Sequence, residues 1–270
     1  MAAWPGGPAR LRPARCLLLL AACCGAFALL ARWVALPLLF WRLAERCERP
    51  AHEAVGSIQA EGPGGPLTVE LRRYAPLLVA EVLLPRSLSA EQRQVLGFRQ
   101  VAGYIFGGNR QRRRLGELGR WVPRWMAAGP EGPEKIAMTA PVVQQTDSAA
   151  GRGGGEEEAA GRIVKVSFTM PSKYSRLSEL PVPTNRNVTL RAVPAHYAAV
   201  VGFRGRPPSA AKVASVQSAM EVALAAAGLR PEAGRGALVH QYHDPFATPR
   251  VLRWNEVVLL LEPEGVEARR

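Results

Sequence analysis

Side chains able to do acid–base, metal or nucleophilic chemistry are few in this sequence, and their spacing suits none of those roles. Only four histidines occur in 270 residues: His52, His196, His240 and His243. His240 and His243 stand three apart on a stretch that reads as a strand, so they point to opposite faces and cannot easily share a metal. All four cysteines, Cys16, Cys23, Cys24 and Cys47, fall within the first 47 residues. The chain beyond them can hold no disulfide, no thiolate zinc site and no thiol nucleophile. Gly-rich phosphate loops, nucleophile elbows and His-Glu-x-x-His patterns do not occur. Scarce histidine and no usable cysteine also remove common bases and nucleophiles. A binding or scaffold role is therefore expected ahead of an enzymatic one.

Charge narrows the partners. Lys and Arg number 35 against 22 Asp and Glu, a net charge of +13. Such an excess favours lipid surfaces, nucleic acid or a carboxylate-bearing ligand. The basic residues are dispersed, and no nucleic-acid motif accompanies them. Most of the excess reads as solvated surface, and nucleic acid is not an expected partner.

The elements that would position a site begin near Leu67. Residues 51–66 end a stretch rich in Pro, Gly and charge and read as a linker. Residues 67–74 and 76–85 follow as strand candidates, with alternating or continuous apolar residues. A helix is expected from Ser89, where Ser89 and Gln92 form a capping box. Val95, Phe98, Ala102 and Ile105 recur at helical spacing as its buried stripe, and Gly107-Gly108 stop it. Strand candidates at 135–145 and 162–171 complete this half. The order then repeats: strands at 187–194 and 196–205, an Ala-rich helix from Ser209 to Ala227, and strands at 237–246 and 251–262. That second helix carries Val213, Val216, Met220, Leu224 and Ala227 on one face, and Gly228 ends it. Two ββαββ units predict a pseudo-twofold α+β domain over 67–265, as a distorted β-barrel or paired sheets with two long helices. Residues 110–133, basic and tryptophan-bearing, and 146–161, Gly-rich and acidic, interrupt it.

The first 50 residues stand apart from that pattern. Arg10, Arg12 and Arg15 precede the apolar run 16–31, Arg32 interrupts it, and a second run reaches Trp41. Sixteen residues fall short of the roughly 20 that cross a bilayer. Extended to Leu36 the run would span, with Arg32 snorkelling to an interface. A cleaved signal peptide, with Ala26-Phe27-Ala28 as its cleavage site, and an organelle-targeting segment are the rival readings. A membrane-anchored or secretory-pathway location follows from the first two, and an organellar or cytoplasmic one from the alternatives. Cys47 or Cys16 offers an acylation site. The sequon Asn187-Val188-Thr189 would accept a glycan if the domain faces a lumen.

The motif KIAMTAPV at 135–142 is the hallmark of the SOUL family of haem-binding proteins, which this chain closely resembles. Other family features stand in register: ELRRY at 70–74, GFRQVAGYIFGGN at 97–109, SFTMPSKY at 167–174, LPVPTNRNV at 180–188, GFRG at 202–205, YHDP at 242–245 and RWNEVVLL at 253–260. The resemblance covers roughly residues 67–262. It implies a distorted barrel or paired sheets with two long helices. It also implies non-catalytic binding of haem or another tetrapyrrole in a surface cleft beside the first helix.

The family's propionate-binding positions match Val95, Gly103 and Pro249, which carry no charge. Their neighbours Arg99, which shares the face of Val95 and Gly103, and Arg250 are therefore the expected ligand contacts. Where some relatives carry a histidine ligand, this chain has Arg73, which cannot ligate iron in the ordinary way. Haem is accordingly expected to bind without strong axial coordination. Met138, Thr139, Pro141, Val142, Asn255 and Glu256 have structural explanations as a strand end and a turn contact. The insertion 110–133, longer than the family's usual connection, reads as a lid, a membrane-surface element or a plain loop. The competing class is a membrane-tethered interaction domain without specific haem binding.

Overall fold

Period-two patterning in this chain produces eleven strands among the described residues, and nine of them join one antiparallel sheet. The computed structural model describes residues 13–30, 32, 35–62, 64–85, 88, 90–111, 132–146, 163–244 and 248–267. The strands are β1 (His52–Gly62), β2 (Gly65–Tyr74), β3 (Leu77–Leu83), β4 (Asn109–Arg110), β5 (Val142–Thr146), β6 (Ile163–Thr169), β7 (Val182–Pro183), β8 (Val188–Val193), β9 (His196–Arg204), β10 (Leu238–Gln241) and β11 (Trp254–Leu261). The helices are α1 (Pro13–Leu30), α2 (Leu36–Glu45), α3 (Ala90–Ile105), α4 (Ala210–Ala226) and a short α5 (Pro263–Glu267).

Across the large sheet the strand order is β1-β2-β9-β11-β10-β5-β6-β3-β8, and β4 and β7 pair separately. The sheet is open. This corrects the expected barrel or paired sheets: strands of the two chain halves interleave, β2 beside β9 and β3 beside β8, and the two resulting groups join edge to edge where β10 pairs β5, His240 opposite Val143. One continuous sheet results, ending at β1 and β8. A second correction concerns the expected linker. Residues 52–62 within it form β1, paired with β2 from His52–Tyr74 to Gly62–Gly65.

Both long helices cover the same face. Residues directly opposite on paired strands share a face, and Val239, Gln144 and Val166 form one such row. Val239 belongs to the core beneath α4, with Val69, Leu71, Val201, Leu259 and Leu261. Val166 belongs to the core beneath α3, with Ala80, Val82, Phe168 and Val188. α4 follows its predicted pattern: Ser209 caps it, its hydroxyl accepting from the Lys212 N–H, and Val213, Val216, Met220 and Leu224 are buried.

α3 keeps its predicted stripe at Ala102 and Ile105, which are buried, and departs from it in its first half. Val95 is 52% exposed and Phe98 36% exposed, whereas Val101, Tyr104 and Ile105 are buried. Gly97 explains the rotation: a Cβ there would stand 2.6 Å from Val166, so the bare backbone seats this side of the helix on the sheet. Gly107, at φ 115°, then ends the element in a backbone conformation that favours glycine. Ser89 of the expected capping box lies outside the described residues, as do 112–131 and 147–162 of the two insertions.

No helix among the described residues is long and apolar enough to cross a membrane. The end of α2 and the residues after it, expected to stand outside the fold, are fastened to it. The Glu48 carbonyl accepts from the Ala140 N–H at 2.9 Å, and its carboxylate accepts from the Ser172 N–H at 2.7 Å. Glu45 meets His243 Nε2 at 3.0 Å.

Candidate ligand-binding site

The outward side of α3 is an apolar strip set on a braced helix. Val95, Arg99, Gly103 and Phe106 follow one another at spacings of three or four, with Phe98 beside Arg99, over roughly 16 Å of helix length. Phe106, just past the helix end, is 60% exposed. A Cβ on Gly103 would meet nothing within 4 Å, so the middle of the strip is open. Phe98 is shared between surface and core, its ring centroid 5.7 Å from that of Phe168. Arg99 is exposed beside these groups.

Three connections fix the helix. The Tyr104 hydroxyl donates to the Pro181 carbonyl at 3.0 Å. Gln100 Oε1 accepts from the side-chain amides of Asn185 and Asn187, each at 3.1 Å. Asn109, buried, donates to the carbonyls of Tyr104 and Glu134 and accepts from the Glu134 N–H at 2.9 Å. Asn109 thereby joins the helix end to the chain just beyond the insertion.

Arg93, which sequence reading passed over, lies in the first turns of α3 on its inward side and is only 3% exposed. Its Nε and Nη1 have no hydrogen-bond partner. A buried guanidinium without acceptors is costly, and a carboxylate relieves that cost best. Its position one turn before Gly97 was visible in the sequence. Its burial was not, because the expected stripe was drawn through Val95 and Phe98.

Arg250 is exposed in a 3-10 turn (Arg250–Leu252) against the end of β9, away from α3. β9 and β6, which α3 covers, stand four strand positions apart, roughly 19 Å at usual strand spacing. Arg73 is exposed on β2. The hallmark motif does structural work here. Ile136 is buried and its N–H donates to the Ile105 carbonyl. The Thr139 hydroxyl donates to the Thr169 carbonyl, the Ala140–Pro141 peptide is cis, and Val142 opens β5. Asn255 donates to the Gly205 carbonyl in the neighbouring turn.

The other face of the sheet holds a second polar cluster. Glu256 accepts from Arg72 Nη1 at 3.0 Å, from Trp254 Nε1 at 3.2 Å and from the Tyr242 hydroxyl at 2.6 Å. Arg72 also donates to Glu70 and to the Tyr74 hydroxyl. Burial works to raise the Glu256 carboxyl, but His240 at 3.6 Å, Tyr242 and Arg72 overcome it and hold the group at about 2. Burial, joined by the Glu256 charge, pushes the Tyr242 phenol well up. Glu256 and Arg72 therefore keep their charges near neutral pH, and the Tyr242 phenol keeps its proton. Alternation of Glu70, Arg72 and Tyr74 in ELRRY was the available signal, because period two puts all three on one face.

Two of the four histidines, His240 and His243, are buried. His52 and His196 flank the Tyr74 ring, each with centroids 5.2 Å away, while His240 faces Glu256 and His243 faces Glu45. Among the described residues no three His, Cys, Asp or Glu side chains gather as a metal site.

A shallow groove of about 470 Å³ runs between α4 and β1, lined by Gln59, Glu61, Ser215, Ala219, Val222 and Ala226. Its only charged lining group is a carboxylate, so it offers nothing to an anionic ligand. α3 is the better site for an amphipathic acid.

The sequence matches the family described as SOUL heme-binding protein over residues 58–260. No curated protein matches it. Solved structures with low similarity include the EcmrR C-terminal domain (10% identity, 72% of this chain and 96% of that one, TM-score 0.39). A hydrolase encoded by lin2189 from Listeria innocua is 12% identical over 72% of this chain and 91% of its own, with a TM-score of 0.43. SAV2435 bound to tetraphenylphosphonium is 11% identical over 73% and 94%, with a TM-score of 0.31.

Proposed function

The chain belongs to the SOUL heme-binding protein family, and from that premise we propose that it binds haem or another amphipathic tetrapyrrole, without catalysis, on the outward face of α3. The observation that carries this reading is the exposed strip Val95–Phe98–Gly103–Phe106 with Arg99 beside it on a braced helix. A macrocycle lies against such a strip, and its carboxylates need cations at the edge. Arg99 supplies one at the surface. Arg250 is too distant along the sheet to serve the same ligand edge, and we assign it elsewhere. The residues present suit the apolar face and the acid groups of haem. Axial coordination is not part of the proposal, because no histidine lies on α3.

The strand order supports reading the two halves as one repeated unit, because, β1 aside, exchanging β2, β3, β5 and β6 with β8, β9, β10 and β11 gives the same order read from the other end. α3 and α4 are then equivalent elements, of which only α3 acquired an apolar outward strip with a cation. A second reading, a membrane-tethered interaction domain without a haem site, is favoured by the exposed Phe27, Leu29, Leu36, Leu38, Leu39 and Leu43 of α1 and α2.

Haemin titration of the chain followed by Soret absorbance tests the first reading. Saturation near one equivalent, weakened about tenfold or more by Arg99→Glu, is expected if the lost contact is a charge-assisted one. Non-saturating partition that ignores the substitution would leave the interaction domain as the better account.

A further inference from the structure

Two unassigned features meet at the end of the sheet where β9 finishes and β11 begins, the end that also carries the turn joining β1 to β2. The first is α2. Leu36, Leu39 and Leu43 share one side of this helix and are each 47–51% exposed, with Arg42 and Arg46 exposed beside them. The second is a group of arginines in the turns that follow β9 and precede β11. Arg206 and Arg250 are exposed, and burial together with their two charges lowers the proton affinity of Arg253, against the single opposing charge of Asp244. Arg204 adds a further guanidinium over the Trp254 ring at 5.8 Å.

A continuous chain of contacts connects the two. Arg253 is followed by Trp254, whose N–H donates to His243 Nδ1 at 3.0 Å. His243 Nε2 meets the Glu45 carboxylate at 3.0 Å, and Glu45 is the last residue of α2. Arg49 bonds back to Glu45 at 2.7 Å and lies over the Tyr242 ring at 5.0 Å. Glu48 is bonded to Ala140 and Ser172. The C-terminal end of the apolar helix is thus held beside the arginine group by the folded domain itself.

We propose that this end of the domain is a docking surface for a bilayer containing anionic lipids. The α2 leucines enter the interfacial layer while Arg206, Arg250 and Arg253 meet the headgroup charges. An apolar helix side flanked by arginines suits that layer, and basic residues near an anionic surface add attraction one by one. The Glu45–His243 contact sets the pose. A flexible tether would leave the domain free to tumble, whereas this one presents a fixed face. The proposal stands independently of the tetrapyrrole reading, since neither α3 nor its arginines take part.

The test uses the full chain with vesicles of phosphatidylcholine alone or mixed with phosphatidylserine, read by amide hydrogen exchange in 202–207 and 248–254. Phosphatidylserine should slow exchange in both turns, and Arg206→Glu/Arg250→Glu should return them to the phosphatidylcholine values. Partition onto the mixed vesicles should fall at least tenfold in that variant and in wild type as salt is raised. Equal exchange of the turns on both vesicles, with α2 bound, would reduce the N-terminal segment to a tether and overturn the proposal. No binding to either vesicle would also overturn it. Haemin binding by the same variant should be unchanged, which keeps the two readings separable.

Discussion

Glu256 shows what a buried charge does in this fold. Its folded value of about 2 lies below the free carboxyl value of 4.5. The group therefore stabilises the fold fully above pH 4.5, and this contribution is lost as pH falls toward 2. The shift corresponds to about 3 kcal/mol. Glu256→Gln should cost a similar amount in urea unfolding at neutral pH and should flatten the acid limb of the stability curve. Removing Arg72 alone should cost about 3–5 kcal/mol by leaving the carboxylate unpaired.

His243 has the opposite charge type. Burial lowers its proton affinity, and Glu45 only partly offsets that. Its Nδ1 accepts the Trp254 N–H, so the neutral ring is the fitted form. The unfolded chain takes up the proton first, near 6.5. The contribution of His243 to fold stability is therefore complete above that value and is lost as pH falls through the lower folded one. Exchange of the Trp254 amide should rise over that interval in wild type but not in His243→Gln. Arg99 and Arg250 were legible as candidates only through motif matching. Burial of Arg72, Arg93 and Glu256 was not legible, because burial of a charged group depends on neighbours from distant strands.

Helices α3 and α4 illustrate two outcomes of one pattern. In α4 the apolar stripe coincides with the buried side, and Leu224→Ala should destabilise by about 2–5 kcal/mol. In α3 the expected stripe is buried at Ala102 and Ile105 but exposed at Val95 and Phe98, since apolar residues lie all round the helix and Gly97 decides which side is seated. Gly97→Ala should cost about 1–3 kcal/mol by overpacking against Val166, with haemin affinity falling as the strip is displaced. Thermal unfolding and titration of the one variant measure both effects. β1 was missed because Pro and Gly flank it and it carries only two large apolar residues, Val55 and Ile58. Its strand character comes from pairing with β2 along its length.

At the scale of the molecule, the open sheet divides its work by face and by end. One face carries both helices and the ligand strip, the other carries the Arg72–Glu256 cluster, and one end holds α2 beside the arginine group. Strand order, with β10 joined to β5, lay beyond sequence reading, because edge-to-edge and face-to-face assembly bury the same alternating residues. Net charge predicted an anionic partner class but not where it binds. The most direct test of the central claim is to map amide resonances of the chain as one equivalent of haemin is added. Perturbation or paramagnetic broadening should concentrate on residues 95–106 of α3 and the turn around Asn185, and spare α4. Effects centred on α4, on the Arg72–Glu256 cluster, or spread evenly over the surface would contradict the assignment of the ligand to α3.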